Sequence, residues 1–239
     1  MRAAGPGSRA LSASLERAPP AQLLVLASAN RGKQRELAAL LAPLGFTLRL
    51  AAEWGLASAA ESGASFEENA LLKARHAARA TGLPALADDS GLEVDALQGR
   101  PGVHSARYAG ALASDADNNA RLLAELAGCP GAPRTARYRC VLALVRSAED
   151  AGPLLARGVW EGRIAQMPAG HGGFGYDPLF VPQGLERTVA ELPRELKQRD
   201  SHRARAAAEL AERLRAAGGA QRYLQSPSRP ARQSRAPQP

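Results

Sequence analysis

The first continuous apolar run, Leu23-Leu24-Val25-Leu26-Ala27, ends abruptly in Ser28-Ala29-Asn30-Arg31-Gly32-Lys33, after which Leu37, Leu40 and Leu41 recur at helical spacing. The pattern is strand, polar loop, helix. Ser28 or Asn30 suits the N-cap, and the free N–H groups of the first turn favour an anion that Lys33 could reach. The loop lacks the flanking glycine and the Lys-Ser/Thr pair of a Walker A sequence. Residues 45–50 read as a second strand, and residues 51–64 as an irregular stretch of small residues containing Glu61.

Ser65 and Glu68 have capping-box spacing, and Phe66, Ala70, Ala74, Ala77 and Ala78 form the buried stripe of a helix that Gly82 and Pro84 stop. Asn69 and Lys73, at i and i+4, share a face of it. The run at 83–87 then reads as a strand that ends at Asp88-Asp89-Ser90-Gly91. Paired carboxylates suit a hard cation such as Mg²⁺. Successive strand residues face opposite sides, so both acids serve one metal only if the strand has already broken. Asp89, beside the Ser-Gly turn, is the favoured ligand, with Asp88 as its support.

Residues 98–110 read as a long polar loop with Arg100, His104, Ser105, Arg107 and Tyr108, in which His104 is a hydrogen-bonded residue rather than a ligand. Asp115–Ala127 is an amphipathic helix, 138–145 a core strand, and 154–164 its hairpin partner with a bulge expected at Gly158. Next comes a glycine-rich segment, Gly172-Gly173-Phe174-Gly175-Tyr176-Asp177-Pro178, before a strand at 179–181. Glycine lets a ligand approach the backbone, and Phe174 and Tyr176 offer faces for stacking a base, worth about 1–3 kcal/mol each. Lys197, Ser201, His202 and Arg203 lead into an alanine-rich helix ending near 217, a group suited to an oxyanion or a carbonyl.

Composition sharpens two of these points. The net charge of +8 over 239 residues suggests nucleic acid, but residues 1–20 hold +2 of it and residues 221–239 hold +4. Both tails lack hydrophobic periodicity and read as a disordered arm and a disordered basic tail, so no specific nucleic-acid partner is expected. Of 31 basic residues only Lys33, Lys73 and Lys197 are lysines. In a chain that otherwise uses arginine for positive charge, a compact ammonium marks crowded sites such as those around a phosphate. No apolar run approaches the roughly 20 residues that span a bilayer. Cys129 and Cys140 lack metal-ligand spacing and suit a reducing, cytoplasmic setting.

Five motifs, in order, resemble those of the inosine triphosphate pyrophosphatase family: Ser28 to Lys33, Phe66-Glu67-Glu68-Asn69-Ala70 with Lys73-Ala74, Ala87 to Gly91, Gly173 to Pro178, and Ser201-His202-Arg203. The resemblance spans about residues 21 to 217. It implies an α/β fold with a long mixed β-sheet flanked by helices, two lobes with a central active-site cleft, and a homodimer. The implied reaction is Mg²⁺-dependent hydrolysis of dITP, ITP and XTP to the monophosphate and pyrophosphate, by a catalytic domain over residues 21–218 flanked by an arm at 1–20 and a tail at 219–239. By the same resemblance Ser28, Ala29, Asn30, Arg31, Gly32, Lys33 and Lys73 hold the triphosphate, Glu61 and Asp89 bind Mg²⁺, and Asp89 takes the proton of the attacking water. Ser90, Phe174, Gly175, Tyr176, Asp177, Lys197, His202 and Arg203 line the nucleotide pocket. Ala60 stands where many members of that family carry a second acid. Two other readings stay open: a related pyrophosphatase acting on another modified nucleotide, and a nucleotide-binding protein without catalysis.

Overall fold

The computed structural model describes residues 22–28, 30–57 and 59–226. In chain order the strands are β1 (Gln22–Leu26), β2 (Phe46–Leu50), β3 (Ala85–Val94), β4 (Thr135–Val145), β5 (Leu154–Ile164) and β6 (Phe180–Pro182). The helices are α1 (Arg31–Leu41), α2 (Phe66–Thr81), α3 (Asp115–Ala127), α4 (Arg194–Asp200), α5 (His202–Ala216) and α6 (Ala220–Gln225). The strands form one six-stranded mixed sheet in the order β2-β1-β3-β4-β5-β6. β1 runs parallel to β2 and β3, and the remaining pairs are antiparallel.

Helices cover both faces. On one, Leu37 and Leu41 of α1 and Ala206, Leu210 and Leu214 of α5 pack on Leu86, Leu142 and Leu144. On the other, the alanine stripe of α2 packs on Val25, Ala85, Ala87 and Ala143. A third cluster, built on Leu92, Tyr138, Trp160 and Phe180 with Leu122 of α3, forms a second lobe toward the far end of the sheet. Alternation along β3 assigns Leu86, Asp88 and Ser90 to the α1/α5 face and Ala87 and Asp89 to the α2 face.

Four expectations are corrected. The strand does not end at the acidic pair: β3 continues through Asp88, Asp89, Ser90 and Gly91 to Val94, because β4 pairs with it along its whole length. No bulge occurs at Gly158, which pairs in register with Cys140. A Cβ there would strike the backbone of His202 and Ala206, so the glycine lets α5 lie directly on β5. The loop at 98–110 contains a 3-10 helix, Gly102–Arg107. The folded unit also extends past 218, since α6 buries Tyr223, whose hydroxyl donates to the carbonyls of Leu144 and Gly152 at 3.2 Å each. Residues 1–20 and 227–239 lie outside the described residues.

Candidate active site

The cleft arises from a mismatch between neighbouring strands. β1 pairs with β3 only at Val25↔Ala85 and Leu26↔Leu86. The Ala27 N–H then donates to the Leu86 carbonyl at 2.9 Å, and the chain leaves for α1. Farther along, the open edge of β3 is covered by the 100–107 segment, where Leu92 N–H donates to Ser105 Oγ at 2.9 Å and Val94 N–H to the Arg100 carbonyl at 3.2 Å. Between these closures lies a cavity of about 560 Å³ lined by Ser28, Asn30, Lys33, Glu61, Lys73 and Arg107, among others. A crevice beyond the carboxyl end of β1, where the chain crosses to strands on opposite sides, is the usual ligand position in α/β sheets.

On the α2 face, Lys73 Nζ donates to Asp89 Oδ1 at 2.6 Å and to Glu61 Oε1 at 3.1 Å, and Arg107 pairs with Glu61 Oε2. Burial pushes the Asp89 carboxyl up, and Lys73 offsets this only in part. Burial would depress Lys73, but Asp89 and Glu61 outweigh it and hold the ammonium above its usual value. For Glu61, burial is outweighed by Lys73 and Arg107, which hold it low. Asp89 Oδ2 is buried and has no partner. Asn69, although on the same helix face as Lys73, lines neither this cavity nor the narrower one beside it. Its carboxamide clamps the N–H and C=O of Gly63 at 2.8 and 3.3 Å and so fixes the segment that carries Glu61.

Among the described residues no group of three or more His, Cys, Asp or Glu could by itself hold a metal. The donor set nevertheless fits a hard cation. Glu61 and Asp89 are bridged by one ammonium, and Asp89 keeps an unclaimed oxygen. Mg²⁺ ordinarily takes one or two carboxylates and completes its shell with phosphate and water.

On the α1/α5 face, Asp88 is fully engaged. It pairs with Lys33 and accepts from Arg203 Nε at 3.1 Å, Ser90 Oγ at 3.0 Å and Cys140 Sγ at 3.1 Å. Burial opposes ionisation, yet Lys33 and Arg203 hold the carboxyl far below the usual range. Asp88 is therefore an anchor for two cations and not a free base.

A narrow pocket of about 90 Å³ continues from the first cavity, with Ser90, Phe174, Gly175, Asp177, His202 and Arg203 in its lining. The Phe174 ring lies under two cations, 4.4 Å from Lys197 Nζ and 5.2 Å from the Arg203 guanidinium carbon. Asp177 accepts from Phe174 N–H at 2.9 Å and from Tyr138 Oη at 3.3 Å and pairs with Lys197, while its burial raises its pKa. His202 stacks on Tyr138, with centroids 4.6 Å apart. Burial and then Arg203 push its pKa well down, so it is neutral, and neither ring nitrogen has a partner. Tyr176 also lines this pocket; it is packed in the second lobe and its hydroxyl donates to the Ser105 carbonyl at 2.8 Å. Gly175 is held by Asp115 and Asn119, its N–H donating at 2.6 Å and its carbonyl accepting at 3.0 Å.

Within the 28–33 loop, Asn30 caps α1, accepting from Gly32 and Lys33 N–H at 2.8 and 3.0 Å, while Ser28 Oγ accepts from Asn30 N–H at 3.2 Å. Gly32 leaves room for the Phe174 ring, which a Cβ would strike. Arg31 is exposed and lines neither cavity, His104 likewise, and Ala29 lies outside the described residues.

The Ham1 family model matches residues 24–213. The chain belongs to the Ham1 family. It is 60% identical over 196 residues to a dITP/XTP pyrophosphatase of Methylococcus capsulatus, covering 82% of this chain and 98% of the relative. A dITP/XTP pyrophosphatase of Yersinia pseudotuberculosis is 54% identical over 194 residues, covering 81% and 98%. The solved structure of a HAM1 protein from Coxiella burnetii superposes with a TM-score of 0.76 at 45% identity, covering 82% of this chain and 99% of that one.

Glu36 and Arg107 are among the polar residues of this Ham1 cleft that the sequence did not assign to the site. Glu36 of α1 receives Lys197 at 2.8 Å and Arg203 at 3.0 Å and so ties both cations beside Phe174 together. Its signal is spacing: it lies one turn after Lys33 on the same helix face. Arg107 stands in the long polar loop at 98–110, but nothing local marks which arginine of that loop turns into a cleft.

Proposed function

We propose that this Ham1-family chain hydrolyses dITP and XTP, and with them ITP, to the nucleoside monophosphate and pyrophosphate, removing deaminated purines from the nucleotide pool. The observation that carries the reading is Asp89: a buried carboxylate with an unclaimed oxygen, held by Lys73, which lines a wide cavity that shares Asn30 and Lys33 with a narrow aromatic one. The wide cavity suits a phosphate chain and the narrow one a base.

In this reading Ser28, Asn30, Lys33 and Lys73 bind the phosphates, and the lysines offset the charge gathering on the pyrophosphate leaving group. Asp89 orients a water and takes its proton as the water oxygen bonds to the α-phosphorus and the bond to the bridging oxygen breaks. Glu61 and Asp89 would hold Mg²⁺, which supplies charge neutralisation on the phosphate oxygens. Phe174 stacks the base, and Arg203 and backbone N–H groups donate to a 6-keto oxygen. Adenine presents an amino group there and would leave those donors unpaired. Lys197, Asp177 and Glu36 hold Phe174 and Arg203 in place. We also read the chain as a homodimer of the cytoplasm, and free thiols at Cys129 and Cys140 agree with a reducing compartment. Among the described residues no helix is long and apolar enough to cross a membrane.

A panel of dITP, XTP, ITP, GTP, ATP and dTTP, assayed for pyrophosphate and for phosphate with and without Mg²⁺, tests the reading. Mg²⁺-dependent pyrophosphate release from the first three is expected. Equal turnover of dTTP would point instead to another modified nucleotide, and no turnover to a binding protein.

A further inference from the structure

Every basic side chain lining the phosphate-sized cavity except one comes from α1 or α2. Lys33 and Lys73 are deeply set, 16% and 11% exposed, and each is paired with an acid of β3. The exception is Arg107. It reaches in from the 3-10 helix 102–107, which covers the edge of β3, and its side chain is 34% exposed. Among the described residues its only acidic partner is Glu61.

The backbone that carries Arg107 is fixed on both sides. Ser105 Oγ accepts from β3 and donates to the Gly102 carbonyl at 2.6 Å, and the Ser105 carbonyl accepts from Tyr176. Asn118 bridges the Ala106 carbonyl and the Ala109 N–H at 3.3 and 2.8 Å. Only the side chain is therefore free to move. Glu61, meanwhile, has both oxygens occupied by cations, Lys73 on one and Arg107 on the other. Lys73 has Asp89 as a second acid, whereas among the described residues Arg107 meets no acid but Glu61.

We propose that Arg107 is a phosphate-binding residue, paired with Glu61 in the free protein and moving from that carboxylate onto the phosphate chain when substrate enters, which releases Glu61 toward the divalent cation. The proposal rests on the pyrophosphatase reading above. A guanidinium matches phosphate oxygens bidentately, and the exchange keeps Arg107 neutralised throughout. Closing on the chain from the 3-10 segment, it adds a third point of contact to the two that Lys33 of α1 and Lys73 of α2 supply.

The test compares wild type with Arg107→Gln and Arg107→Lys, each checked for its melting transition. Calorimetric titration with pyrophosphate in EDTA needs neither metal nor turnover. Loss of one charge-assisted contact should weaken pyrophosphate binding about tenfold in the Gln variant and less in the Lys variant. Mn²⁺ titration of the free protein should show the Gln variant binding at least as tightly as wild type, since a competitor for Glu61 is gone. In turnover, KM for dITP should rise more than kcat falls. Unchanged pyrophosphate affinity in the Gln variant, no pyrophosphate binding by wild type, or weakened Mn²⁺ binding with pyrophosphate affinity intact would each overturn the proposal. If instead wild type binds pyrophosphate and Arg107→Gln weakens it, but dITP is not hydrolysed, the phosphate site stands and the enzymatic reading falls.

Discussion

Asp88 and Asp89 are consecutive in β3, yet the first accepts from Lys33 and Arg203 on the α1/α5 face of the sheet and the second from Lys73 on the α2 face. Sheet alternation thus separates two acids that sequence alone groups together, and substitutions should separate them again. Asp89→Asn should fold normally and lose about 10²–10⁴ of its pyrophosphatase rate. Asp88→Asn strips the charge from an anchor of two buried cations, and urea denaturation should show a loss of about 3–5 kcal/mol.

Gly158→Ala should act on the site from a distance. The added Cβ would meet Ala206 N at 2.6 Å and would also strike the His202 carbonyl, pushing the start of α5 off β5. His202 and Arg203 lie at that start, so KM for dITP should rise while the melting temperature falls, with a stability loss of about 1–3 kcal/mol. An unchanged KM would mean that the first turn of α5 does not set the pocket.

Removal of α6 should be costly, unlike removal of a dispensable tail. Tyr223 is 5% exposed, joins the core beside Leu144 and Leu214, and lies under the Arg146 guanidinium at 5.0 Å. Truncation after 218 should destabilise the fold by about 3–5 kcal/mol, as loss of a buried aromatic does, and calorimetry would register it. Truncation after 226 should leave the melting temperature and turnover as they are.

The same corner sets part of the acid sensitivity. Burial at Asp150 is outweighed by Arg146 and by the N–H groups of Arg146 and Gly152, so its folded pKa is depressed. Its contribution is complete above the unfolded value of about 3.9 and is lost as pH falls through the folded one. Asp150→Asn should therefore lower stability at neutral pH and flatten its decline below about pH 4, as measured by urea midpoints across pH.

Periodicity located the strands and helices because each buries one face, and Asp115–Ala127 was legible to the residue from its cap and apolar stripe. The rare lysines pointed to the cleft: all three pair with its acids, Lys33 with Asp88, Lys73 with Asp89 and Glu61, and Lys197 with Asp177 and Glu36. What could not be read depends on partners distant in sequence. Two adjacent acids look like a strand end until Lys33, Cys140 and Arg203 are seen to neutralise Asp88 inside the sheet. Gly158 looks like a bulge until α5 is laid across it, and Tyr223 like tail until the hairpin turn beneath it is in place.

The short register between β1 and β3 carries a further consequence. A site made from an unfilled strand position has its depth fixed by where one strand stops, here at Leu26, rather than by any loop that could drift. Had β1 kept pairing for a few more residues, backbone would occupy the space beside Asp88 and Asp89, and the sheet would be more regular and the pocket gone. The room for a nucleotide is in this sense a deliberate vacancy in the β-ladder, and insertions between Leu26 and Asn30 should be tolerated less well than equal insertions at the tip of the β4–β5 hairpin.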